Sequence, residues 1–334
     1  MLYNHIEISM SRKLFALSLT ATLMGGAAYA ETPQVAVDIA PVHSLVARVM
    51  DGIGKPDLII QPGASPHEYS LRPSEASALQ AADLVFWIGP DLTPWLTDTI
   101  GTLASDAVVT ELMEADGTIE LEFREGALFE AHDHDDHGDD DDHDDHGDND
   151  DHDEAESGHE GHDHGAHDPH AWLSPKNAMN WLNVIAGQLS AVDPDNAGAY
   201  FANAAAGRTE IKTLIGEVTA TLDPVRGGQF IVFHNASQSF EMDFDFPASG
   251  AISISDASDP SPARIAKIQA RIAEQGIDCV LAEPQFNPGL VATVLDGTDA
   301  QTGILDPLGS DLELGPAFYP QLIRNLSNVL ADCM

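Results

Sequence analysis

Short apolar runs alternate with stretches of helical spacing along the first third of the chain. Pro73 begins one of the helical stretches, over residues 74–82, and residues 92–103 form another. Such alternation is typical of a parallel sheet flanked by helices. The runs that we assign to strands are residues 35–39, 57–60, 83–88 and 108–110.

The same alternation returns after a long helical stretch. Asp193-Pro194-Asp195 begins this stretch, and no helix breaker follows until Pro224. A helix of about 27 residues would span roughly 40 Å, which is long enough to join two lobes. A second set of strands follows at residues 229–233, 251–254, 279–282 and 302–305.

These patterns predict an α/β protein with two lobes, each a sheet flanked by helices, joined by one long rigid helix. One later helix has clear limits, because Ser261 suits an N-cap, Pro262 suits the first turn and Gly276 suits the end. The predicted domains are a signal peptide (residues 1–30), an N-terminal lobe (31–130 with 168–192), a disordered His/Asp-rich loop (131–167), a linking helix (193–223) and a C-terminal lobe (224–334).

The first thirty residues have the pattern of a secretory signal peptide. Arg12 and Lys13 precede an apolar run over residues 14–28, and a small-residue cleavage pattern ends at Ala30. Met10 is an alternative start of translation. No later run is long and apolar enough to cross a bilayer, so we expect a soluble periplasmic protein with no membrane insertion.

Charge narrows the choice of partners. The formal net charge is -41, from 55 acidic and 14 basic residues, which argues against nucleic acid or an anionic membrane surface and favours cations. The His/Asp-rich loop carries ten histidines among its carboxylates and no Lys or Arg. A solubilising linker would need only Asp and Glu, so the interleaved histidines favour binding of a divalent metal such as zinc, copper or nickel.

Candidate metal ligands also follow the predicted strands. In open α/β sheets, ligands bind beyond the carboxyl ends of strands. A Gly/Pro-rich turn after the second strand leads to His67, the fifth strand leads to His234, and the last strand leads to Asp306. With His170, which begins the ordered chain after the loop, they form a tetrahedral N/O set suited to zinc between the lobes.

Each of these residues also has a purely structural interpretation. His67 and Asp306 could serve as turn residues, and His170 and His234 could be histidines satisfied by hydrogen bonds. Their shared position after strands is what favours a site. We leave His43 out of the ligand set, because a His entering a helix is more often packed or capping. Glu283, which ends the seventh strand, could orient a ligating imidazole or pair with a nearby base.

The chain contains two cysteines, Cys279 and Cys333. Two cysteines in an exported protein usually pair, and this disulfide would tie the C-terminus to an internal strand. Metal ligation by the two cysteines is the weaker alternative, because they lack the close spacing of such sites.

Five runs of sequence, in a fixed order, match a known family. They are GASPHEYSLRPSEASALQAADLVFWIG, DPHAWLSP, IVFHNA, VLAEPQFNP and GILDPLG, with the His/Asp-rich loop ahead of the second. Over residues 35–333 the chain closely resembles the periplasmic zinc-binding proteins of ABC-type zinc uptake systems, the ZnuA type. The resemblance implies two lobes, each with a parallel four-stranded sheet, joined by a rigid helix with the metal between them.

The resemblance also implies site residues. His67, His170 and His234 match the three histidine ligands of the family, and Asp306 matches the carboxylate that completes the site. Members that bind manganese or iron carry a carboxylate in place of His234, so this chain should favour zinc. Some zinc members have a Glu where this chain has Pro66, which leaves Asp306 or water as the fourth ligand. The two cysteines match a disulfide of the zinc-binding branch.

By this resemblance the chain is a non-enzymatic, monomeric receptor that delivers Zn2+ to a membrane permease and a cytoplasmic ATPase, with the loop as an accessory zinc collector or sensor. The chain lacks the G-x-x-x-x-G-K-[ST] phosphate loop, so other chains must supply the ATPase. Three alternatives remain: a manganese or iron receptor or adhesin, a zinc hydrolase, and a metal buffer whose lobes only carry the loop. The hydrolase is disfavoured because H-E-x-x-H and G-x-S-x-G are absent.

Overall fold

The computed structural model describes residues 32–124, 126–129, 167–253, 260–286 and 288–334. The predicted signal peptide and nearly all of the predicted His/Asp-rich loop therefore lie outside the described residues. The strands are β1 (Val35–Val37), β2 (Asp57–Leu58), β3 (Leu84–Trp87), β4 (Val108–Glu111), β5 (Phe230–His234), β6 (Gly250–Ser253), β7 (Cys279–Ala282) and β8 (Gln301–Ile304). The helices are α1 (Ala40–Val49), α2 (Pro73–Ala81), α3 (Pro94–Leu103), α4 (Pro175–Val192), α5 (Ala197–Leu222), α6 (Gln238–Phe244), α7 (Pro262–Gln275), α8 (Pro288–Leu295) and α9 (Phe318–Cys333).

The strands form two parallel four-stranded sheets, which confirms the predicted fold class. Their orders are β2-β1-β3-β4 and β6-β5-β7-β8. The central strands are apolar runs buried on both faces, as parallel sheets require; β3, for example, is buried throughout. Strand order reverses beside β1 in one sheet and beside β5 in the other, so each sheet has a crevice at its carboxyl edge where a ligand can bind.

The long helix α5 joins the two lobes. It has 26 residues, which corresponds to about 39 Å. It follows directly on a short 3-10 turn at Pro194–Asn196, so the helical stretch as a whole begins at Pro194, as the sequence predicts. Gly207 lets it pack closely, since a Cβ there would lie 3.0 Å from Leu182 Cδ1.

Helix α9 ties the end of the chain to both lobes. Tyr319 is buried, and its hydroxyl donates a 2.9 Å hydrogen bond to the carbonyl of Trp172. Cys333, in the last turn of α9, forms the predicted disulfide with Cys279 of β7, with the two Cα atoms 5.7 Å apart. One hydrophobic core therefore runs through both lobes, while a second cluster lies between the other face of the β5–β7 sheet and helices α7 and α8.

Residues 121–124 and 126–129, which we call the strap, run from the N-terminal lobe to the edge of β6. The Phe129 N–H donates to the carbonyl of Ser249 at 3.1 Å, and the Ala251 N–H donates to the carbonyl of Ala127 at 3.1 Å. Gly250 permits this approach, because a Cβ there would lie 2.4 Å from the Ala127 carbonyl oxygen. The end of the strap therefore contacts the C-terminal lobe, although its residues belong to the predicted N-terminal lobe. The limits of the domains remain a prediction.

Arg124 fastens the strap to α6. Its guanidinium pairs with both carboxylate oxygens of the buried Glu241, at 2.9 and 3.1 Å, and donates to the side-chain oxygen of Asn235. Asn235 directly follows His234, so the strap lies beside the carboxyl end of β5.

Among the described helices, none is long and apolar enough to span a bilayer.

Candidate metal centre

Two of the predicted ligands meet at the junction of the lobes. His234 is the last residue of β5, and His170 precedes a short 3-10 turn that leads into α4. Both are buried, and their Nε2 atoms lie 3.3 Å apart. Two nitrogen ligands at a tetrahedral angle, with zinc–nitrogen bonds of about 2.05 Å, would lie about 3.3 Å apart. The pair therefore has the separation that one zinc ion requires.

Each of these imidazoles is held by a buried carboxylate. Nδ1 of His170 lies 2.7 Å from Asp168 Oδ1, and Nδ1 of His234 lies 2.6 Å from Glu283 Oε1. An ionised carboxylate only accepts hydrogen bonds, so each Nδ1 carries a proton and each Nε2 is the nitrogen that faces the cavity and can bind a metal. This is the usual arrangement around metal-binding histidines.

The geometry fits the orienting role considered for Glu283 from sequence. Asp168 was missed, although the Asp-Pro-His run places it two residues before His170. Its Oδ1 also accepts the backbone N–H of His170, at 3.1 Å. An Asp two residues before a candidate ligand can accept the backbone N–H of that residue, and this spacing was the signal that could have revealed the role of Asp168.

His67 approaches the pair from the N-terminal lobe. Its ring centroid lies 5.7 Å from that of His170, and it lines the same small cavity as the other two histidines. The cavity has a volume of about 10 Å³, which suits one atom-sized ligand. Within the described ranges, no three His, Cys, Asp or Glu side chains already form a closed metal-ligand group. The rings thus border one cavity, with His67 further out than the other two.

The turn that carries His67 is held at both sides. The Trp95 indole N–H donates to the carbonyl of Pro66 at 2.8 Å. The Tyr69 hydroxyl donates to the buried Glu75 carboxylate at 2.8 Å, and burial with this hydrogen bond raises the Tyr69 pKa. Two side-chain contacts therefore position the segment without making it part of a helix or strand.

Asp306 follows β8, as predicted, but its carboxylate turns into its own loop. It accepts the backbone N–H groups of Leu308, Gly309 and Ser310 at 3.0, 2.9 and 2.7 Å, and the Ser310 hydroxyl also donates to it. It is absent from the lining of the histidine cavity. Ligation by Asp306 stays a prediction, and it would require one oxygen to exchange these partners for the metal.

His43, which we left out of the ligand set, lies in helix α1, and its side chain is buried. Its Nε2 lies 3.2 Å from the carbonyl oxygen of Pro56, and burial lowers its pKa.

Aromatic side chains border the histidine cavity. The Trp172 ring lies 5.2 Å from the His170 ring, and the Phe286 ring lies 5.6 Å from the His234 ring, edge to face.

Two α/β lobes joined by a long helix, with histidines from both lobes around an atom-sized cavity, are the architecture of a two-lobed metal-binding protein. A family model described as “ZnuA: Zinc-uptake complex component A periplasmic” matches residues 35–333. The chain therefore belongs to this family. The expectation that it is a binding protein and not an enzyme agrees with that membership.

Individual relatives give the same result. The chain is 48% identical over 323 residues to the “High-affinity zinc uptake system protein ZnuA” of Brucella abortus, with 96% of this chain and 97% of the relative covered. It is 45% identical over 308 residues to the protein of that name from Paracoccus denitrificans, with 92% and 93% covered. A crystal structure of ZnuA has the same fold, with a TM-score of 0.70 at 20% identity over 90% of this chain and 99% of that chain.

Proposed function

We propose that this protein captures Zn2+ between its lobes, with His67, His170 and His234 as ligands and Asp306 or water in the fourth position. The observation that carries the proposal is the 3.3 Å separation of the His170 and His234 Nε2 atoms, each imidazole being oriented by a buried carboxylate. Imidazole nitrogens suit zinc better than they suit manganese or magnesium.

The same proposal includes delivery. The relatives are named as zinc uptake system proteins, and the family is described as periplasmic. We therefore infer that the mature chain is exported after removal of residues 1–30, acts as a monomer, and hands Zn2+ to a membrane permease driven by a cytoplasmic ATPase. The His/Asp-rich loop serves as an accessory zinc collector or sensor. Zinc is bound in the crystal structure of a ZnuA deletion mutant, which supports an accessory role for the segment removed from that protein.

Calorimetric zinc titration tests this function. The protein would lack residues 131–166, which leaves His167 and its antiparallel bridge to Glu122 in place. We expect one tight site, which His170→Ala abolishes and His67→Ala weakens strongly. A protein without any tight site after the deletion would instead make the loop the main binding element.

Manganese is the competing cargo, because the binding protein FpvC in complex with Mn2+ shares the fold at a TM-score of 0.71 and 16% identity. The histidine at position 234 argues for zinc. Competition between Zn2+ and Mn2+ for the loop-deleted protein decides the matter: we expect excess Mn2+ to leave zinc binding unchanged.

A further inference from the structure

Basic side chains are scarce in this chain, yet three of them share one face of a single helix. Arg264, Lys267 and Arg271 lie on α7 at positions i, i+3 and i+7, which places them on the same side. They are three of only 14 Lys and Arg residues in the whole chain. Helix α7 carries one acidic residue, Glu274, which lies on the same side of the helix three residues after Arg271. We call these three residues the α7 basic stripe.

The α7 basic stripe lies along the end of the strap. Arg264 Nη2 donates to the carbonyl of Gly126 at 3.0 Å, and Arg271 Nη2 donates to the carbonyl of Phe129 at 3.4 Å. Arg271 and Phe129 also line a cavity of about 1050 Å³ on this side of the lobe. In the described part of the chain, neither Lys267 nor Arg271 forms an ion pair with Asp or Glu, and Lys267 is exposed.

The stretch that follows Phe129 has the opposite charge. Residues 130–166 contain eighteen Asp and Glu residues and no Lys or Arg. We propose that the α7 basic stripe, through Lys267 and Arg271, is the docking surface for this acidic segment of the same chain, since Arg264 already donates to the carbonyls of Gly126, Ala251 and Ile252. The proposal goes beyond zinc capture and does not depend on it, since it rests on charge and on where the segment begins.

Reach and tethering support the docking. Lys267 lies about 6 Å from Arg271 along the helix axis, since four residues rise 1.5 Å each. Asp133 is four residues beyond Phe129, so the chain can place it up to about 13 Å away. Single exposed ion pairs are weak. The covalent link, however, holds the carboxylates near the stripe at an effective concentration on the order of millimolar.

Zero-length carbodiimide cross-linking of the full chain tests the docking directly, because it joins a lysine amine to a carboxylate in contact with it. The described residues contain four lysines, Lys55, Lys176, Lys212 and Lys267. By mass spectrometry, we expect residues 130–166 to be joined to Lys267 at least fivefold more than to Lys55 or Lys212. This preference should disappear in about 0.5 M salt, where the Debye length falls to roughly 4 Å. Equal yields at these lysines, or cross-links mainly between two copies in an isotope-mixed sample, would overturn the proposal.

A matched pair of variants supplies a second readout. Lys267→Gln removes the exposed stripe charge and leaves the contact of Arg271 with Phe129 in place, while Lys212→Gln removes an exposed lysine on α5. We expect the stripe variant to speed cleavage at Glu130 by a glutamate-specific protease severalfold and the α5 variant to leave it unchanged. Equal cleavage rates in the two variants would count against docking. If a variant does not fold, the cross-linking test still applies, because it uses the unmodified chain.

Discussion

Replacing Glu283 by Gln tests how far the buried carboxylates set the zinc affinity. Glu283 is 6% exposed, and its Oε1 accepts both the Nδ1–H of His234, at 2.6 Å, and the backbone N–H of that residue, at 3.2 Å. Gln keeps the shape and one acceptor oxygen but removes the charge. The imidazole should then be a poorer donor to the metal, and its Nδ1–H tautomer should be less firmly held.

The expected loss follows from the geometry of this contact. A hydrogen bond to a buried ionised group is roughly twice as strong as a neutral one, and removing such partners of metal-binding histidines typically lowers affinity 10- to 100-fold. That range corresponds to about 1.4–2.7 kcal/mol of binding free energy. Asp168→Asn should act in the same direction, because Asp168 contacts the Nδ1 of His170 at 2.7 Å.

Zinc competition against a chromogenic chelator, at neutral pH with the loop deleted, measures the effect. Asp193→Asn is the control: Asp193 is also buried, and it accepts from Tyr200 and Asn196 away from the histidines. We expect Asp193→Asn to change stability but leave the zinc dissociation constant within about twofold. A Glu283→Gln protein with unchanged affinity would refute the view that the carboxylate prepares His234 for the metal.

Three further predictions concern the metal-free fold. Asp306→Ala should lower the unfolding free energy in urea by about 2 kcal/mol, because the backbone donors of its turn lose their acceptor. Gly250→Ala should lower it by about 1–3 kcal/mol, since the new Cβ would meet the strap, whereas Gly216→Ala at an open helical position should raise it by up to about 1 kcal/mol. Burial raises the Asp38 pKa to about 7. Native Asp38 thus keeps a proton that the unfolded chain loses near pH 4, so its contribution to stability should fall as pH rises from about 4 to about 7, and Asp38→Asn should remove this slope in urea titrations.

The strands and several of the helices could be predicted because each is marked by its own residues. The apolar runs are buried on both faces in the centre of each sheet, and α7 begins and ends where Ser261 and Gly276 indicated, with Ser261 accepting the Arg264 N–H and Gly276 at a φ of 65°. The strap could not be predicted in this way. It is held by backbone hydrogen bonds to β6 and by Arg124, and neither leaves a periodic pattern in the sequence.

The site was predictable to the extent that strand ends determine it. The parallel sheet brings His234 to the carboxyl edge, and the same rule correctly placed Asp306 after β8. The rule does not say where a side chain turns next. A carboxylate that precedes a tight turn can accept hydrogen bonds from backbone N–H groups two to four residues later. These local hydrogen bonds compete with metal binding, and the positions of the strands do not predict them.

The three histidines differ in burial and in position, and this difference bears on how tightly zinc binds. His170 and His234 come from different lobes and are buried, and their Nε2 atoms lie 3.3 Å apart, close to the separation that a bound zinc ion needs. Little rearrangement is then needed to bind the ion, which favours affinity. His67 lies on an irregular turn, further from the pair. We therefore expect loss of His170 or His234 to lower zinc affinity more than loss of His67 does.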